Sequence, residues 1–334
     1  MTRKQHRGIG ILMLYSFLSV GFTYNSHAQK VFGVPGTNNY YGPVKCLIDK
    51  HNNLYWNNNG GIDKKDGTTG TVSHIAGTGT YGHTGNGGQA TSARIDALIS
   101  MALDETNNIL YFAEQNNNYI RKIDLTTGII NDYMGTGNSG SANDISIPTA
   151  LAIDNNGNLY YGNATAVFKI NISTGAKTAF AGIEHYGGYS GNGGLATSAH
   201  IDYVNDIKAD ALGDVYIAEG GNRIIRKIDV NGYISLIAGA GSSPTSNSGS
   251  GGPATSAYIS PNSLALDSHG TIYLASGLYI RRITSDGIIT DVAGTGLGTP
   301  SNGLCSDPSS TNIVPLCLAF DSYGDLYFSD GTNG

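Results

Sequence analysis

Short runs in which apolar and polar residues alternate fill most of this chain, and turns rich in Gly, Asn and Asp separate them. Period-two runs bounded by such turns predict strands. The clearest set is Val204 to Ala209, Val215 to Ala218, Ile224 to Ile228 and Tyr233 to Ala238, joined by Asp210-Ala211-Leu212-Gly213, Gly220-Gly221-Asn222 and Asn231-Gly232. Asn-Gly between two such runs is a strong hairpin signal, so the set reads as four antiparallel strands in sequence order.

The set repeats. An apolar run ending in Asp, a turn, then an apolar residue followed by Tyr recurs six times, with its tyrosines at 55, 111, 160, 216, 273 and 327. The spacings of 56, 49, 56, 57 and 54 residues are those of an array of identical supersecondary units. One four-stranded sheet cannot bury both faces alone, so the units must pack face to face around an axis. The expected fold is therefore an all-β, six-bladed β-propeller of four-stranded antiparallel blades.

Third strands begin near Ile62, Tyr119, Val167, Ile224 and Tyr279, which is five for six units. Val31 to Val34 is a candidate fourth strand that would complete the last blade from the N-terminal side. The chain stops at Gly331-Thr332-Asn333-Gly334, where a turn into the last third strand is expected. The last blade thus reads as incomplete, and C-terminal truncation is the favoured explanation because a missing strand leaves an open edge.

Arg3, Lys4 and Arg7 precede an apolar stretch from Ile9 to Phe22, and Ser26-His27-Ala28 offers small residues at a cleavage position. Residues 1–28 read as a secretory signal peptide and 29–334 as the propeller, placing the protein as secreted, periplasmic or at the cell surface. No later segment is long and apolar enough for a membrane span. Beyond residue 28 the chain carries 16 Lys and Arg against 25 Asp and Glu, a net charge of −9, which argues against nucleic acid and anionic membranes as partners. Cys46, Cys305 and Cys317 allow one bridge and one free thiol; Cys305–Cys317 would close a local loop, and Cys46–Cys317 would join the first unit to the last.

Leu264-Ala265-Leu266-Asp267, Val215-Tyr216-Ile217-Ala218-Glu219 and Asn222-Arg223-Ile224-Ile225-Arg226-Lys227-Ile228 resemble the NHL-repeat propeller family. So does a Gly-rich loop that appears at 85–93, 191–199 and 249–257 and ends each time in Ala-Thr-Ser-Ala. This version is similar to the NHL repeats of bacterial secreted proteins and of the teneurin ectodomain. The resemblance implies mostly binding and scaffolding, with a minority of lyases and sensor domains.

Candidate chemistry is sparse. Gly77-Thr78-Gly79-Thr80-Tyr81-Gly82 matches a dinucleotide string, but no helix follows to present amides to phosphate. The Asp closing each first strand is a turn-maker, since a short carboxylate accepts the amides of the turn it starts. Glu114 with Arg121, and Glu219 with Arg226, read as structural pairs across the second and third strands; the fifth unit departs with Ser276 and Arg281. No His falls in a first strand, which disfavours a central metal and a metal-dependent lyase, and no cofactor is implied.

Two sites remain. Four positions before the closing Asp the units carry Lys45, Ser100, Ala150, Asp206, Ser263 and Cys317, and two before it the fourth unit carries Lys208. Lys45, Asp206 and Lys208 are the channel candidates, with an internal ion pair as the simpler reading. The long loops and the turns between second and third strands should share one face, carrying Tyr81, His83, Asn116, Asn117, His185, Tyr186, Tyr189 and Asn222. Tyr with Asn and Gly suits recognition, because rigid aromatic area costs little entropy on binding. The expected function is a binding or scaffold module for a protein or carbohydrate partner on the loop face; the alternative is a lyase- or lactonase-type enzyme using the channel.

Overall fold

In the computed structural model, which describes residues 45–58, 60–137, 145–241, 247–297 and 312–331, the expected strands pair as antiparallel meanders. The leader, the Val31–Val34 segment, Cys305 and the chain end past Gly331 lie outside the described residues. The fourth unit forms Val204–Ala209, Val215–Glu219, Ile224–Ile228 and Ile234–Ala238 in that spatial order, within a residue of expectation at each end.

Blade number departs from expectation. Five complete blades are present among the described residues, not six; the sixth place holds a two-stranded sheet, Pro315–Phe320 with Leu326–Asp330. Its first strand contacts the first strands of both blade 5 and blade 1, so six first strands still close a ring.

Each Asp-turn is built as its residue type dictates. Asp154 Oδ1 accepts the amides of Asn156 and Asn158, both at 2.9 Å, while Oδ2 accepts the Tyr160 hydroxyl at 3.0 Å. Asp49 with Tyr55, Asp210 with Tyr216 and Asp321 with Tyr327 repeat the hydroxyl contact. In four of the six units the Tyr of the recurring phrase is thus tied to its Asp. Burial, then the Asp charge, raises the pKa of these phenols and keeps them protonated donors.

In four of the six units the position four residues before the closing Asp links neighbouring first strands. Ser100 Oγ accepts the Leu151 amide at 2.9 Å, Asp206 Oδ2 the Leu264 amide at 2.8 Å, and Ser263 Oγ the Leu318 amide at 3.2 Å. In the sixth unit this position is Cys317, and it is bonded to Cys46, the residue in blade 1 that matches Leu151, Leu264 and Leu318. A disulfide therefore stands where the second, fourth and fifth units use a hydrogen bond, joining positions 271 residues apart. Of the open pairings, Cys46–Cys317 is the one formed.

The core lies between blades. Ala90, Ala93 and Ile95 are buried between blades 1 and 2, packed with Tyr55, Ile62, Leu110 and Phe112, and the Ala196 and Ala254 turns repeat this wedge. Gly85 begins the wedge at φ +97°, where a Cβ would also lie 2.7 Å from that of Ala93; only glycine allows this closeness. Each loop then lies along the outer strand of the next blade: Gly87 donates to Ile130, Gly193 to Ile234 and Gly251 to Ile289. These long loops were expected to stand on one face. Much of each instead fills the seam between blades and covers an edge that would otherwise be open.

Candidate functional site

At the ring, the channel candidates converge. Lys208 Nζ meets Asp206 Oδ1 at 2.8 Å and Oδ2 at 3.0 Å, and Ser263 Oγ donates to Asp206 Oδ2 at 3.0 Å. Lys45 Nζ reaches the Asn205 carbonyl at 3.4 Å; blades 1 and 4 are three places apart in the ring, so this lysine crosses the axis. Burial lowers the Lys45 pKa, against the opposing pull of Asp206. Burial raises that of Asp206, but Lys208, Lys45 and two hydrogen bonds outweigh it and hold the carboxyl below its ordinary range. Lys208 and Asp206 neutralise each other, and Lys45 adds a second positive charge facing the same carboxylate. The internal ion pair weighed from the sequence is formed.

The loop-face candidates do not form one site. His83, Asn116 and Asn117 gather at blade 2, whereas His185, Tyr186, Tyr189 and Asn222 belong to the entrance of blade 4, with blade 3 between. At blade 2, His83 Nδ1 lies 2.6 Å from Glu114 Oε2 and Nε2 lies 3.1 Å from Asp132 Oδ1, with the ring stacked on Tyr119 at 4.0 Å between centroids. Both nitrogens can donate only in the doubly protonated ring. Arg121 Nε is 3.2 Å from Asp132 Oδ1 but not aligned for a hydrogen bond, so that contact is purely an ion pair. Asn117 donates to Glu114, and Asn116 reaches Asp96. His83 is thus a half-buried bridge, while Tyr81 nearby in sequence is half exposed.

At blade 4, Tyr189 takes the place of His83. Its ring lies 5.5 Å from the Arg226 guanidinium carbon, and its hydroxyl accepts from Asn192 at 2.8 Å. Asn222 donates to the Gly188 carbonyl at 2.6 Å and to Glu219 at 2.7 Å, so it braces the loop from beneath. Tyr186 projects furthest, at 65% exposed, beside the exposed His185.

The Glu–Arg pairs are present, Arg226 Nε to Glu219 at 2.5 Å and Arg121 to Glu114 at 3.3 Å, and both are fully buried. Their wider role was missed. Arg121 donates to the carbonyls of Thr84 and Arg94, Arg226 to those of Ser190 and His200, and Arg281 to those of Ser248 and Tyr258. Each arginine clamps both ends of the loop that enters its own blade. Blade 3 has Phe168 at this position, and its entrance lacks the Ala-Thr-Ser-Ala loop, so co-occurrence of loop and Arg was the available signal. Arg281, which lacked a second-strand acid, pairs with Asp291 at 2.7 Å instead. Among the described residues, no group of three His, Cys, Asp or Glu is arranged to hold a metal ion, and no helix is long and apolar enough to cross a membrane.

No family model matches the chain. Over 234 residues it is 26% identical to teneurin-3 of Mus musculus, a match covering 62% of this chain and 8% of that protein. The chain thus spans less than a tenth of its curated relative. An auxiliary nutrient binding protein from Bacteroides thetaiotaomicron superposes with a TM-score of 0.60 at 17% identity, over 87% of this chain and 67% of that one. Virginiamycin B lyase from Staphylococcus aureus gives 0.52 at 17% identity, over 89% and 80% of the two chains. At such identities the structures speak to fold alone. Together with the blade topology, these likenesses make the chain a β-propeller repeat protein.

Proposed function

We propose that this chain is an NHL-type propeller, exported to the periplasm, cell surface or medium, that works as a binding or scaffold module for a protein or carbohydrate partner. The observation that carries this reading is the set of tyrosines left open on the loop side, Tyr81, Tyr186 and Tyr189, at 50%, 65% and 47% exposure. Exposed aromatic area held on braced loops is the composition of recognition surfaces. The Cys46–Cys317 disulfide supports an oxidising compartment. The nutrient binding protein among the fold relatives is in keeping with a binding role.

A panel of immobilised glycans and candidate surface proteins, probed with wild type and with Tyr81→Ala, Tyr186→Ala and Tyr189→Ala combined, tests the reading. Binding by wild type and its loss in the triple variant, with Tm nearly unchanged, is expected. Undiminished binding would remove these residues from the site. The enzyme alternative rests on the convergence of Lys45, Asp206 and Lys208 at the ring. It requires turnover, or a stoichiometric metal lost in Asp206→Ala.

A further inference from the structure

A cleft of about 670 Å³ opens between blades 1 and 2 on the side of the first-to-second turns, opposite the loop face. Its volume is that of a small-molecule site. Tyr55, Lys64 and Ile75 line it from blade 1, and Gln89, Leu103 and Asn108 from blade 2; of its two acids, Asp49 is taken up by its own turn, accepting from Asn53 and Tyr55, and Glu105 by Lys50.

The other complete blades fill or neutralise this space. In each blade the fourth strand bulges at one residue: Ile75, Tyr133, Phe180, Ile237 and Val292. Tyr133 packs edge-on against Tyr111, and Phe180 against Tyr160, both at 4.8 Å; at blade 5 the ring of Phe320 meets Tyr273 at 5.0 Å. Blade 4 has the smaller Ile237, but there Lys227 is held by Asp214 at 2.5 Å. Blade 1 lacks both devices. Ile75 brings no ring, and the counterpart of Asp214 is the neutral Asn53, which accepts the Gly67 amide at 3.0 Å and donates to Asp49 Oδ2 at 2.7 Å. Lys64 therefore stands 5.6 Å from the Tyr55 centroid without an ion-pair partner among the described residues.

We propose that this cleft binds a small hydroxylated carboxylate of monosaccharide size, a sugar acid. Lys64 meets the carboxylate, because Lys50 at the rim is already held by Glu105 at 3.8 Å. The amides of Gln89 and Asn108 meet hydroxyls, and Ile75 with Leu103 meets the apolar edge of the ring.

D-Glucuronate is the probe, titrated calorimetrically into the purified chain with D-glucose as the neutral match. Wild type should bind glucuronate in preference to glucose. Lys64→Gln should weaken glucuronate by about tenfold, the scale of one lost charge-assisted hydrogen bond. Ile75→Phe, which imports the ring that blade 3 already carries, should abolish binding while the melting transition stays cooperative. No glucuronate binding by wild type, equal affinity for glucose, or unchanged affinity in Lys64→Gln overturns the assignment. The loop-face tyrosines are intact in both variants, so this test stands or falls apart from the binding role proposed above.

Discussion

Blade 4 buries Asp206 and Glu219 most deeply, and the two carboxylates respond to burial in opposite ways. Glu219 sits in the second strand with one cation, Arg226, and burial prevails, raising its pKa despite hydrogen bonds from Arg226, Asn222 and the Asp202 amide. Asp206 sits at the ring with two lysines and the amide of Leu264, and there the cations prevail, lowering its pKa. The fate of a buried acid here depends on how many donors and cations surround it, rather than on depth. Arg226 is also shared with two loop carbonyls, so its donors are divided.

The largest effect should come from removing the shared cation. Arg226→Met leaves Glu219 buried without a counter-charge and unclamps the loop, at a cost of about 3–5 kcal/mol in urea unfolding. Adding Glu219→Gln should recover part of that loss. If the double variant is no more stable than the single one, the clamp alone explains the arginine, and the contrast with Asp206 loses one arm.

Next in size is the covalent counterpart of the Asp206 link. Replacing Cys46 and Cys317 together by Ser should lower unfolding free energy by about 2–4 kcal/mol, since the bridge spans nearly the whole ring. A loss no larger than that of Ser263→Ala would mean that the bridge acts merely as one more inter-blade contact.

The smallest effects are in pH dependence, and their signs are opposite. Asp206, held below 3.8, binds fewer protons folded than unfolded; it contributes stability above that value and loses it as pH falls through its lowered folded pKa. Glu219, raised above 4.5, binds more protons folded, so its contribution is fullest in acid and fades as pH rises from 4.5 through the raised folded pKa. Asp206→Asn should therefore flatten the acid loss of stability, and Glu219→Gln should flatten a decline toward neutrality. Parallel pH profiles for the two variants would refute the contrast.

Much of the architecture was legible because it is local. Strand alternation, the Asp that starts each turn and the Glu–Arg spacing all lie within a single unit, where side-chain period and short-range hydrogen bonds decide the outcome. The candidate site was less legible. Tyr81, Tyr186 and Tyr189 are exposed on the loops, but His83 and Asn222 read the same way in sequence and turn out to brace Glu114 and Glu219. A polar residue in a Gly-rich loop carries no mark of whether it faces solvent or a buried acid.

The sequence by itself determined the repeating unit, its four strands and the elements joining them, since each depends on residues close in the chain. Only the tertiary structure decided what depends on closure: which cysteines meet, that Lys45 crosses to blade 4, that the Ala-Thr-Ser-Ala loops wedge between blades, and that blade 1 keeps an open cleft. Those contacts join residues tens to hundreds of positions apart. Their partners are set by packing one blade on the next, and no local pattern encodes that.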